Sequence, residues 1–400
     1  MRRSGPGGRS GAGVGGVSIP TGERALVLFL SNGFSLLRWR EEGLQTREML
    51  IYREFLRTGV FDRVDVFSYN PADHGELERL RRLDPIWTNL HVITPPAAAG
   101  ELRGARAAAW SAAGVAAHLG RLRRASWLKT NQLSGSWTAV LAARLTGRPL
   151  LVRQGYSLSN RFRRVGQSRR ERMARRLEQV AYGAAMAVAV TSHEAARLIA
   201  QDHPRQAAKV RVLPTYVDTT LFAPKSDYDW DTPVVFVGRL EPVKNVVPLI
   251  EACRSLGRPL DLYGLGSQEA ECRALAAQPG SIVKVMGNVP NEQLADRLRR
   301  HTVFALPSTY EGLPKALIEA MALGLVCVGT DTTGINELIV DERNGYLVPG
   351  TTPEAIAARL RHAFEQRNDD LGRAARDTIE QGFSLERYAA GERAIYEQAA

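Results

Sequence analysis

Short apolar runs alternate with longer stretches of mixed polar and apolar residues along the first half of this chain. The runs are compact enough to form buried strands, and they lie at residues 25–30, 63–68, 89–93, 127–130, 150–153 and 187–191. Sequence of helical character separates most of them. This alternation predicts a parallel sheet whose two faces are covered by helices.

The same alternation begins again in the second half of the chain. Its apolar runs lie at residues 233–238, 260–264, 282–287, 303–307 and 325–330. The segment between the two series, residues 217–225, is polar and turn-prone, so we place an inter-domain linker there. Because ligands bind beyond the carboxyl ends of parallel strands, we expect two doubly wound α/β units and a functional cleft between them.

Composition is compatible with two cores and gives no sign of a membrane span. The chain has 400 residues, of which 44% are hydrophobic, and this exceeds what one core usually holds. No apolar run approaches the roughly 20 residues that a spanning helix needs. Residues 1–22 are rich in Arg and Gly without an apolar core, so we expect a disordered tail rather than a secretory signal. Three cysteines without metal-ligand spacing indicate a reducing, cytoplasmic location.

Charge is distributed unevenly along the chain. The net charge is +11, but residues 1–222 hold 34 Lys and Arg against 17 acids, a net +17, and the remainder is net −6. The segment that begins at Arg161 and ends at Arg176 contains eight arginines and one acid, with Met173, Leu177 and Val180 at helical spacing. We predict that it docks on an anionic membrane surface. A solvated basic helix is the second interpretation, and nucleic-acid binding, which we do not expect, is the third.

A first chemical motif follows the apolar run at residues 233–238. Gly238 allows a ligand close to the backbone, Arg239 can fork onto phosphate oxygens, and Lys244 adds a charge near a helix N-terminus. The motif predicts an anion site. Taken alone, it is equally compatible with a solvated loop.

A second motif, at residues 306–322, is more specific. Pro314 suits the first turn of a helix, which would place the amides of Gly312, Leu313 and Lys315 at the positive end of the helix dipole. Glu319 lies in the helix body among apolar neighbours, so its carboxylate needs a donor such as a sugar hydroxyl. A structural salt bridge is the alternative for Glu319.

Together these residues resemble the signature of family 4 glycosyltransferases of GT-B fold. Glu311 and Glu319 are separated by seven residues as in that family, and the Gly-Arg then Lys pattern matches upstream. Asn288 and Val289, in the segment 287–290, fit the same pattern. The resemblance is dense from 233 to 349 and looser in the first half.

The resemblance implies two Rossmann-like domains facing across a cleft. We expect an N-terminal acceptor-binding domain at residues 23–222, a C-terminal donor-binding domain at 223–382, and a final helix at 383–400 that crosses back to the N-terminal domain. By resemblance, Arg239 and Lys244 neutralise the leaving diphosphate, Glu311 holds hydroxyls of the donor sugar, and Glu319 binds the ribose. Cations that stabilise a developing diphosphate would replace a metal.

The implied reaction is the retaining transfer of a hexose-type sugar from a nucleoside diphosphate, UDP first and GDP second. The acceptor would be a saccharide or a lipid-linked saccharide in cell-envelope or exopolysaccharide synthesis. No histidine cluster has ligand spacing and no Asp-x-Asp motif lies in a plausible loop, so we expect neither metal nor cofactor. An epimerase of the same fold and a non-catalytic binding module are the alternatives.

The first half departs from the family where a histidine is common. After the strand at 150–153, this chain offers Arg153, Gln154 and Tyr156 on the acceptor side, so a histidine-dependent proton relay is not expected. In the first loop, which is often Gly-Gly, we expect Gly33 to approach the donor phosphate. Asn131 and Gln132 could order the acceptor, but a helix cap made by Asn131 is slightly favoured.

Overall fold

Two parallel β-sheets organise the computed structural model, which describes residues 22–155 and 157–398. The tail predicted at residues 1–22 lies outside the described residues except for Gly22, and Tyr156 also lies outside them. One sheet has seven strands and the other six, and every recorded strand pair within them is parallel. The predicted class of two doubly wound α/β units is confirmed.

The front domain is the seven-stranded sheet with its helices. Its elements in chain order are β1 (Ala25–Phe29), α1 (Leu36–Glu41), α2 (Gln45–Arg57), β2 (Arg63–Phe67), α3 (Asp73–Leu83), β3 (Leu90–Ile93), α4 (Gly104–Ala117), α5 (Leu119–Arg123), β4 (Trp127–Thr130), α6 (Ser136–Thr146), β5 (Leu150–Gln154), α7 (Leu158–Arg164), α8 (Ser168–Ala184), β6 (Ala187–Val190), α9 (His193–Asp202) and β7 (Val210–Val212).

The back domain is the six-stranded sheet with its helices, followed by one helix that leaves it. The elements are β8 (Val234–Val237), α10 (Val246–Ser255), β9 (Leu260–Tyr263), α11 (Glu269–Ala276), β10 (Val283–Gly287), α12 (Asn291–Leu298), β11 (Val303–Leu306), α13 (Lys315–Ala322), β12 (Val326–Thr330), β13 (Tyr346–Val348), α14 (Pro353–Gln366), α15 (Asp369–Gly382) and α16 (Leu385–Glu397).

Apolar runs were sufficient to locate most of the strands. Each predicted strand is present, and its ends differ from the prediction by no more than one residue. The sequence interpretation missed β7 and β13, which have three residues each and lie at sheet edges. A run of three residues is too short to show either an apolar block or a period of two.

Residues of β1 show how the front sheet buries both faces. Leu26 and Leu28 pack into one apolar cluster, whereas Val27 and Phe29 pack into the cluster on the opposite face. Successive side chains of a strand point to opposite faces, so a strand with helices on both sides must be apolar throughout. This explains why the strands appear as continuous apolar runs.

The back domain has a single apolar cluster that also contains the three cysteines. Cys253, Cys272 and Cys327 are all buried and all free. Burial raises the pKa of the Cys253 thiol to about 12, so it is held as a neutral packing group.

The last helix, α16, packs on the front domain. The chain passes the linker where the Val217 N–H donates to the Phe383 carbonyl at 2.9 Å. Further along, the ring of Tyr396 lies 5.0 Å from the rings of both Phe61 and Trp127, inside a front-domain cluster. The domains are therefore joined by two chain segments rather than one.

Strand order determines where the loops of the two domains converge. The orders are β3-β2-β1-β4-β5-β6-β7 and β10-β9-β8-β11-β12-β13. In each sheet the order reverses beside the first strand, between β1 and β4 and between β8 and β11. Loops diverge at such switch points and leave a crevice at the carboxyl ends of the strands.

Candidate active site

A cavity of about 820 Å³ lies between the two domains. The front domain contributes the end of α1 and the start of α2, and the back domain contributes the loops after β8, β9 and β10 together with α13. The lining residues are Glu41, Glu42, Gly43, Leu44, Arg47, Val237, Gly238, Arg239, Lys244, Tyr263, Gly264, Leu265, Asn288, Val289, Asn291, Leu294, Ala316 and Glu319. A cavity of this size can hold a nucleotide sugar.

Several residues predicted for donor binding meet in this cavity. Among the residues that the structure describes, those that line it are Gly238, Arg239, Lys244, Asn288, Val289 and Glu319. They come from separate loops and from helix α13. The fold therefore brings together positions that lie as far apart as 81 residues in the chain.

Glu311 lies beside the cavity, where Lys244 and Ser308 hold its carboxylate. The Lys244 Nζ donates to Glu311 Oε1 at 2.5 Å, and the Ser308 hydroxyl donates to the same oxygen at 2.6 Å. Ser308 is fully buried, and its carbonyl accepts from the Thr330 hydroxyl. The second carboxylate oxygen of Glu311 has no recorded donor among the described residues and can accept from a ligand.

Arg239 presents an exposed guanidinium at the same cavity. Within the described part of the chain it makes no side-chain hydrogen bond and no ion pair. Because a guanidinium carries five donors and stays charged, this side chain can bind two oxygens of a phosphate at once.

Close backbone packing shapes the wall next to Arg239. Gly264 adopts φ +141°, and a Cβ at this residue would lie 1.8 Å from the Gly238 carbonyl oxygen. The Gly238 N–H donates to the Tyr263 carbonyl at 3.0 Å. Only glycine fits at residue 264, because a side chain would collide with the loop that carries Arg239.

The start of α13 supplies unpaired amides beside the cavity. Pro314 is the N-cap of this helix, and the N–H groups of Gly312 and Leu313 have no acceptor among the described residues. Neither residue belongs to the cavity lining, nor do Pro314 and Lys315. The amides lie at the positive end of the helix dipole and can receive an anion that extends from the cavity.

Glu319 is a buried carboxylate that receives no hydrogen bond from the described residues. It is 5% exposed, and its nearest described cation, the Nη1 of Arg47, lies 3.9 Å from Oε1. Burial raises the pKa of Glu319, and the charges of Arg47 and Lys315 offset this shift only in part. A buried acceptor without a protein donor can accept hydrogen bonds from a hydroxyl-bearing ligand.

Five charged residues from both domains form an interdomain charge group. Glu48 of α2 lies 3.4 Å from Lys315 and 3.9 Å from both Arg153 and Arg47, and Glu319 completes the group. Burial of Glu48 opposes its ionisation, but Lys315, Arg153 and Arg47 together lower its pKa to about 2. Burial lowers the pKa of Lys315 to about 8, although Glu48 acts in the opposite direction.

Gly33, which is predicted to approach the donor phosphate, does not line the cavity. Gly33 is buried away from the lining, and its carbonyl accepts from the Nη1 of Arg38 at 3.4 Å. The short helix α1 separates this first loop from α2. Gly43, with φ +69°, therefore reaches the cavity in place of Gly33.

The helix cap expected at Asn131 is not formed, and Gln154 is buried within the front domain. Asn131 does not cap α6, which begins at Ser136 after Gly135. Gln154 is fully buried and accepts from the Tyr182 hydroxyl, on the same sheet face as Leu150 and Val152. The alternation of side chains along β5 directs Gln154 into the front domain and Arg153 to the opposite face.

Gln132 and Arg153 take part in backbone and interdomain contacts. The Oε1 of Gln132 accepts from the Gly155 N–H at 3.2 Å, and Arg153 belongs to the interdomain charge group. Neither Gln132 nor Arg153, nor Asn131, lines the cavity. Tyr156 lies outside the described residues, so its predicted role has no structural counterpart here.

Models of two adjacent protein families match the chain. The model described as "Glycosyltransferase Family 4" matches residues 46–221, and the one described as "Glycosyl transferases group 1" matches residues 220–381. Together they cover residues 46–381, which hold every strand of both sheets except β1. The chain belongs to glycosyltransferase family 4.

Two curated relatives of this family 4 member are named for polysaccharide biosynthesis. The putative colanic acid biosynthesis glycosyltransferase WcaL of Escherichia coli is 33% identical over 48% of this chain. The amylovoran biosynthesis glycosyltransferase AmsK of Erwinia amylovora is 35% identical over 32% of it. The chain spans 51% and 34% of the lengths of these two relatives.

Solved structures with the same fold cover almost the whole chain. Sucrose-phosphate synthase from Thermosynechococcus elongatus superposes with a TM-score of 0.73 at 20% identity, over 94% of this chain and 98% of that one. HepE of Anabaena, solved in complex with UDP, gives 0.70 at 18% identity, over 94% and 100%. These similarities confirm the predicted GT-B fold.

Sequence interpretation missed the front-domain wall of the cavity in this family 4 member. The missed residues are Glu41, Glu42, Gly43, Leu44 and Arg47. A glycine directly before an amphipathic helix was a usable signal for Gly43. Arg47 gave no such signal, because its neighbours in the cavity come from another domain.

Metal-ligand clusters and membrane-spanning helices are both absent from the part of the chain that the structure describes. No group of three or more His, Cys, Asp or Glu side chains in that part of the chain is arranged to hold a metal ion. No helix among residues 22–155 and 157–398 is both long and apolar enough to cross a bilayer.

The basic segment that ends at Arg176 forms α7 and the first half of α8. Arg163 and Arg175 both pair with Asp202 at 2.8 Å, and Arg164 stacks on the ring of Tyr310 at 3.9 Å across the domain boundary. These contacts leave an outer face that is both basic and apolar. It contains the exposed residues Val165, Arg169, Arg170, Arg172, Met173, Arg176 and Val180.

Proposed function

We propose that this chain is a retaining glycosyltransferase that uses a nucleoside-diphosphate hexose, UDP-linked in preference to GDP-linked. The observation that carries the proposal is the meeting of Arg239, Lys244 and Glu319 in one interdomain cavity, with Glu311 bonded to Lys244. The two cations suit a diphosphate, and the two carboxylates suit hydroxyl groups.

Charge development explains what each group would contribute. Cleavage of the sugar–phosphate bond places negative charge on the diphosphate, which Arg239, Lys244 and the free amides of Gly312 and Leu313 would stabilise. The Glu311 carboxylate would orient hydroxyls of the donor sugar, and Glu319 would accept from the ribose. Cations already in place lower the barrier without a metal ion, so we propose a metal-independent reaction without a cofactor.

The choice of donor and acceptor draws on the relatives. HepE of Anabaena was solved with UDP and with UDP-glucose, which supports UDP as the first donor base to test. WcaL and AmsK are named for colanic acid and amylovoran biosynthesis, which supports a saccharide or lipid-linked saccharide acceptor in envelope or exopolysaccharide assembly.

The proposal is tested by product analysis with the purified chain. Incubation with UDP-hexoses or GDP-hexoses should release the nucleoside diphosphate only when a saccharide acceptor is present, and NMR should show that the anomeric configuration of the donor is retained in the product. Activity should persist in EDTA. Interconversion of sugars without an acceptor would identify an epimerase. Absence of any turnover with binding intact would identify a binding module.

We further propose that the outer face of α8 holds the enzyme on an anionic membrane at the cytoplasmic side. Met173 is 71% exposed and Val180 is 44% exposed, beside Arg169, Arg172 and Arg176. The inward face of α8 is formed instead by Ala174, Glu178 and Ala181. Exposed apolar groups flanked by arginines suit a lipid surface, and each arginine near it contributes about 1 kcal/mol of attraction.

Vesicle sedimentation tests this membrane proposal. The chain should bind vesicles that contain phosphatidylglycerol and not those of phosphatidylcholine alone. Met173→Glu should weaken the binding about tenfold or more, because it places a negative charge against anionic lipid. Leu83→Glu is the matched control, since Leu83 is 67% exposed on α3 and away from the basic face. Equal loss in both variants would contradict a role for α8.

A further inference from the structure

Arg47 lines the cavity but lies outside both of the chemical motifs found in the sequence. It lies in the first turn of α2, and among the lining residues it is the cation that the front domain supplies. The lining cations of the back domain are Arg239 and Lys244. Arg47 therefore faces them from the opposite wall.

The guanidinium of Arg47 is poorly partnered for so enclosed a position. Its side chain is 26% exposed, yet Nε is buried and has no hydrogen-bond partner among the described residues. Its contacts to Glu319 and Glu48 are both 3.9 Å long, which is beyond hydrogen-bond distance. A guanidinium offers five donors, so most of the donors of Arg47 are available to a ligand.

The position of Arg47 identifies which part of a donor it meets. Glu319 lines the cavity and is proposed to bind ribose, whereas Glu311, which is bonded to Lys244, is proposed to hold the donor sugar. In a nucleotide sugar the phosphate attached to the ribose lies next to the ribose hydroxyls. A cation 3.9 Å from Glu319 is therefore adjacent to that phosphate.

We propose that Arg47 binds the ribose-proximal phosphate of the donor and releases Glu319 when the nucleotide enters. The inference rests on the proposed function, since it assumes a nucleoside-diphosphate donor in this cavity. In the absence of donor, Arg47 and Glu319 partly neutralise each other. When donor is bound, the Arg47 guanidinium binds the phosphate and the Glu319 carboxylate accepts hydrogen bonds from the ribose hydroxyls.

This exchange also links the donor to the relative position of the domains. Arg47 belongs to the front domain, whereas the other groups proposed to bind donor belong to the back domain. A phosphate held from both walls favours a closed cleft, because the same anion attracts cations on each side. Arg47 is thus a donor-binding residue that depends on the tertiary arrangement.

Binding of nucleotide fragments separates this role from an indirect one. Dissociation constants of UDP, UMP and uridine, and of GDP, GMP and guanosine in parallel, are measured by calorimetry for the wild type, Arg47→Met and Arg47→Lys. Arg53→Met is the matched control, because Arg53 lies on the same helix, bonds Asp84 at 2.7 Å and is outside the cavity lining. Melting temperatures verify that each variant is folded.

We expect a loss of affinity only for those ligands that carry a phosphate. Arg47→Met should weaken binding of the nucleoside monophosphate and diphosphate by about 10-fold to 100-fold and leave the nucleoside unchanged, whereas Arg47→Lys should recover part of the loss. Arg53→Met should bind all ligands as the wild type does. The losses should shrink as salt concentration rises, since they are electrostatic.

Three outcomes would overturn the proposal. Unchanged binding of both nucleotides by Arg47→Met would remove Arg47 from the site while leaving the proposed function intact. Equal losses for nucleoside and nucleotide would show that Arg47 only positions Glu319. Failure of the wild type to bind nucleotides of either base would overturn the proposed function together with this inference.

Discussion

The Arg47 guanidinium of the front domain lies 3.9 Å from the Glu319 carboxylate of the back domain. The next residue along α2, Glu48, lies 3.4 Å from Lys315, which precedes Glu319 by one turn of α13. Each helix thus presents one acid and one base to the other. This arrangement matches charges across the cleft, and it makes the charge state of both helices sensitive to whatever enters the cavity.

Glu319→Gln should stabilise the donor-free protein while weakening donor binding. Burial raises the pKa of Glu319 above its ordinary value of 4.5, so the ionised carboxylate lowers the free energy of unfolding at neutral pH. Removal of the charge should raise Tm by about 1 to 3 °C at pH 7, and the gain should disappear as the pH falls below about 4. The Tm increase caused by UDP should become smaller, because a hydroxyl acceptor is weakened.

Scanning calorimetry from pH 3 to pH 8, with and without nucleotide, measures both effects. Glu251→Gln is the control, since Glu251 is an exposed carboxylate on α10 outside the cavity lining. A Glu319→Gln variant that is less stable than the wild type at pH 7 would show that its ion pair with Arg47 outweighs the cost of burial.

Glu311→Gln and Lys244→Met should affect different parts of the donor. Glu311 is proposed to hold sugar hydroxyls, so Glu311→Gln should lower kcat by about 10²-fold to 10³-fold and change the Kd of UDP little. Lys244→Met should weaken the binding of UDP itself, because it removes a cation that is proposed to contact the diphosphate. Steady-state kinetics give kcat for each variant, and UDP titration gives the Kd of UDP. Similar losses of UDP affinity in both variants would show that the 2.5 Å contact makes them act as one unit.

Protonation of Glu48 should contribute to the loss of folding stability in acid. The neighbouring cations lower its folded pKa to about 2, below its ordinary value of 4.5. A carboxyl with a lowered folded pKa contributes stability above about pH 4.5 and loses it as the pH falls toward 2. The decline of Tm between pH 5 and pH 3 should therefore be less steep in Glu48→Gln than in the wild type. Parallel declines would contradict this assignment.

The buried ion pair of Lys129 and Glu392 should couple the last helix to the front domain. Lys129 Nζ lies 2.5 Å from Glu392 Oε1, and both side chains are almost fully buried. Lys129→Met should cost about 3 to 5 kcal/mol in the free energy of unfolding, because it leaves an unpaired buried carboxylate. Combining it with Glu392→Gln should recover much of that loss, since the amide oxygen can still accept from the Tyr396 hydroxyl.

Denaturant unfolding of the single and double variants measures this coupling. Arg393→Met is a control on the same helix, because the Arg393 side chain is 56% exposed and bonds Glu397. A double variant as unstable as Lys129→Met alone would show that the loss comes from packing and not from an unpaired charge.

The success of the sequence interpretation at particular residues has a local cause. Arg239 and Lys244 follow β8 directly, and Glu319 lies on the helix that follows β11, so strand patterning was enough to bring them to one edge of a sheet. The fold class followed from the same alternation, because strands buried on both faces must be apolar at every position.

Other residues of the front domain lie differently from the sequence-based expectation. The physical cause is that their orientation depends on where helices begin and on the register of each strand. Gly33 was expected to approach the donor phosphate, but it is buried and does not line the cavity, whereas Gly43 does. Gln154 was expected to face an acceptor, but its register in β5 turns it toward Tyr182. Asn131 was expected to cap α6, but the helix begins five residues later, at Ser136.

The sequence by itself determined the two sheets and the residues that the back domain brings to its own switch point. These features depend on short-range patterns, which a chain carries locally. Only the tertiary structure decided that Arg47 faces Glu319, that Glu48 lies between Lys315 and Arg153, and that Glu392 neutralises Lys129. Those contacts join residues far apart in the chain, and their energies arise when burial removes water from charges that no local pattern relates to one another.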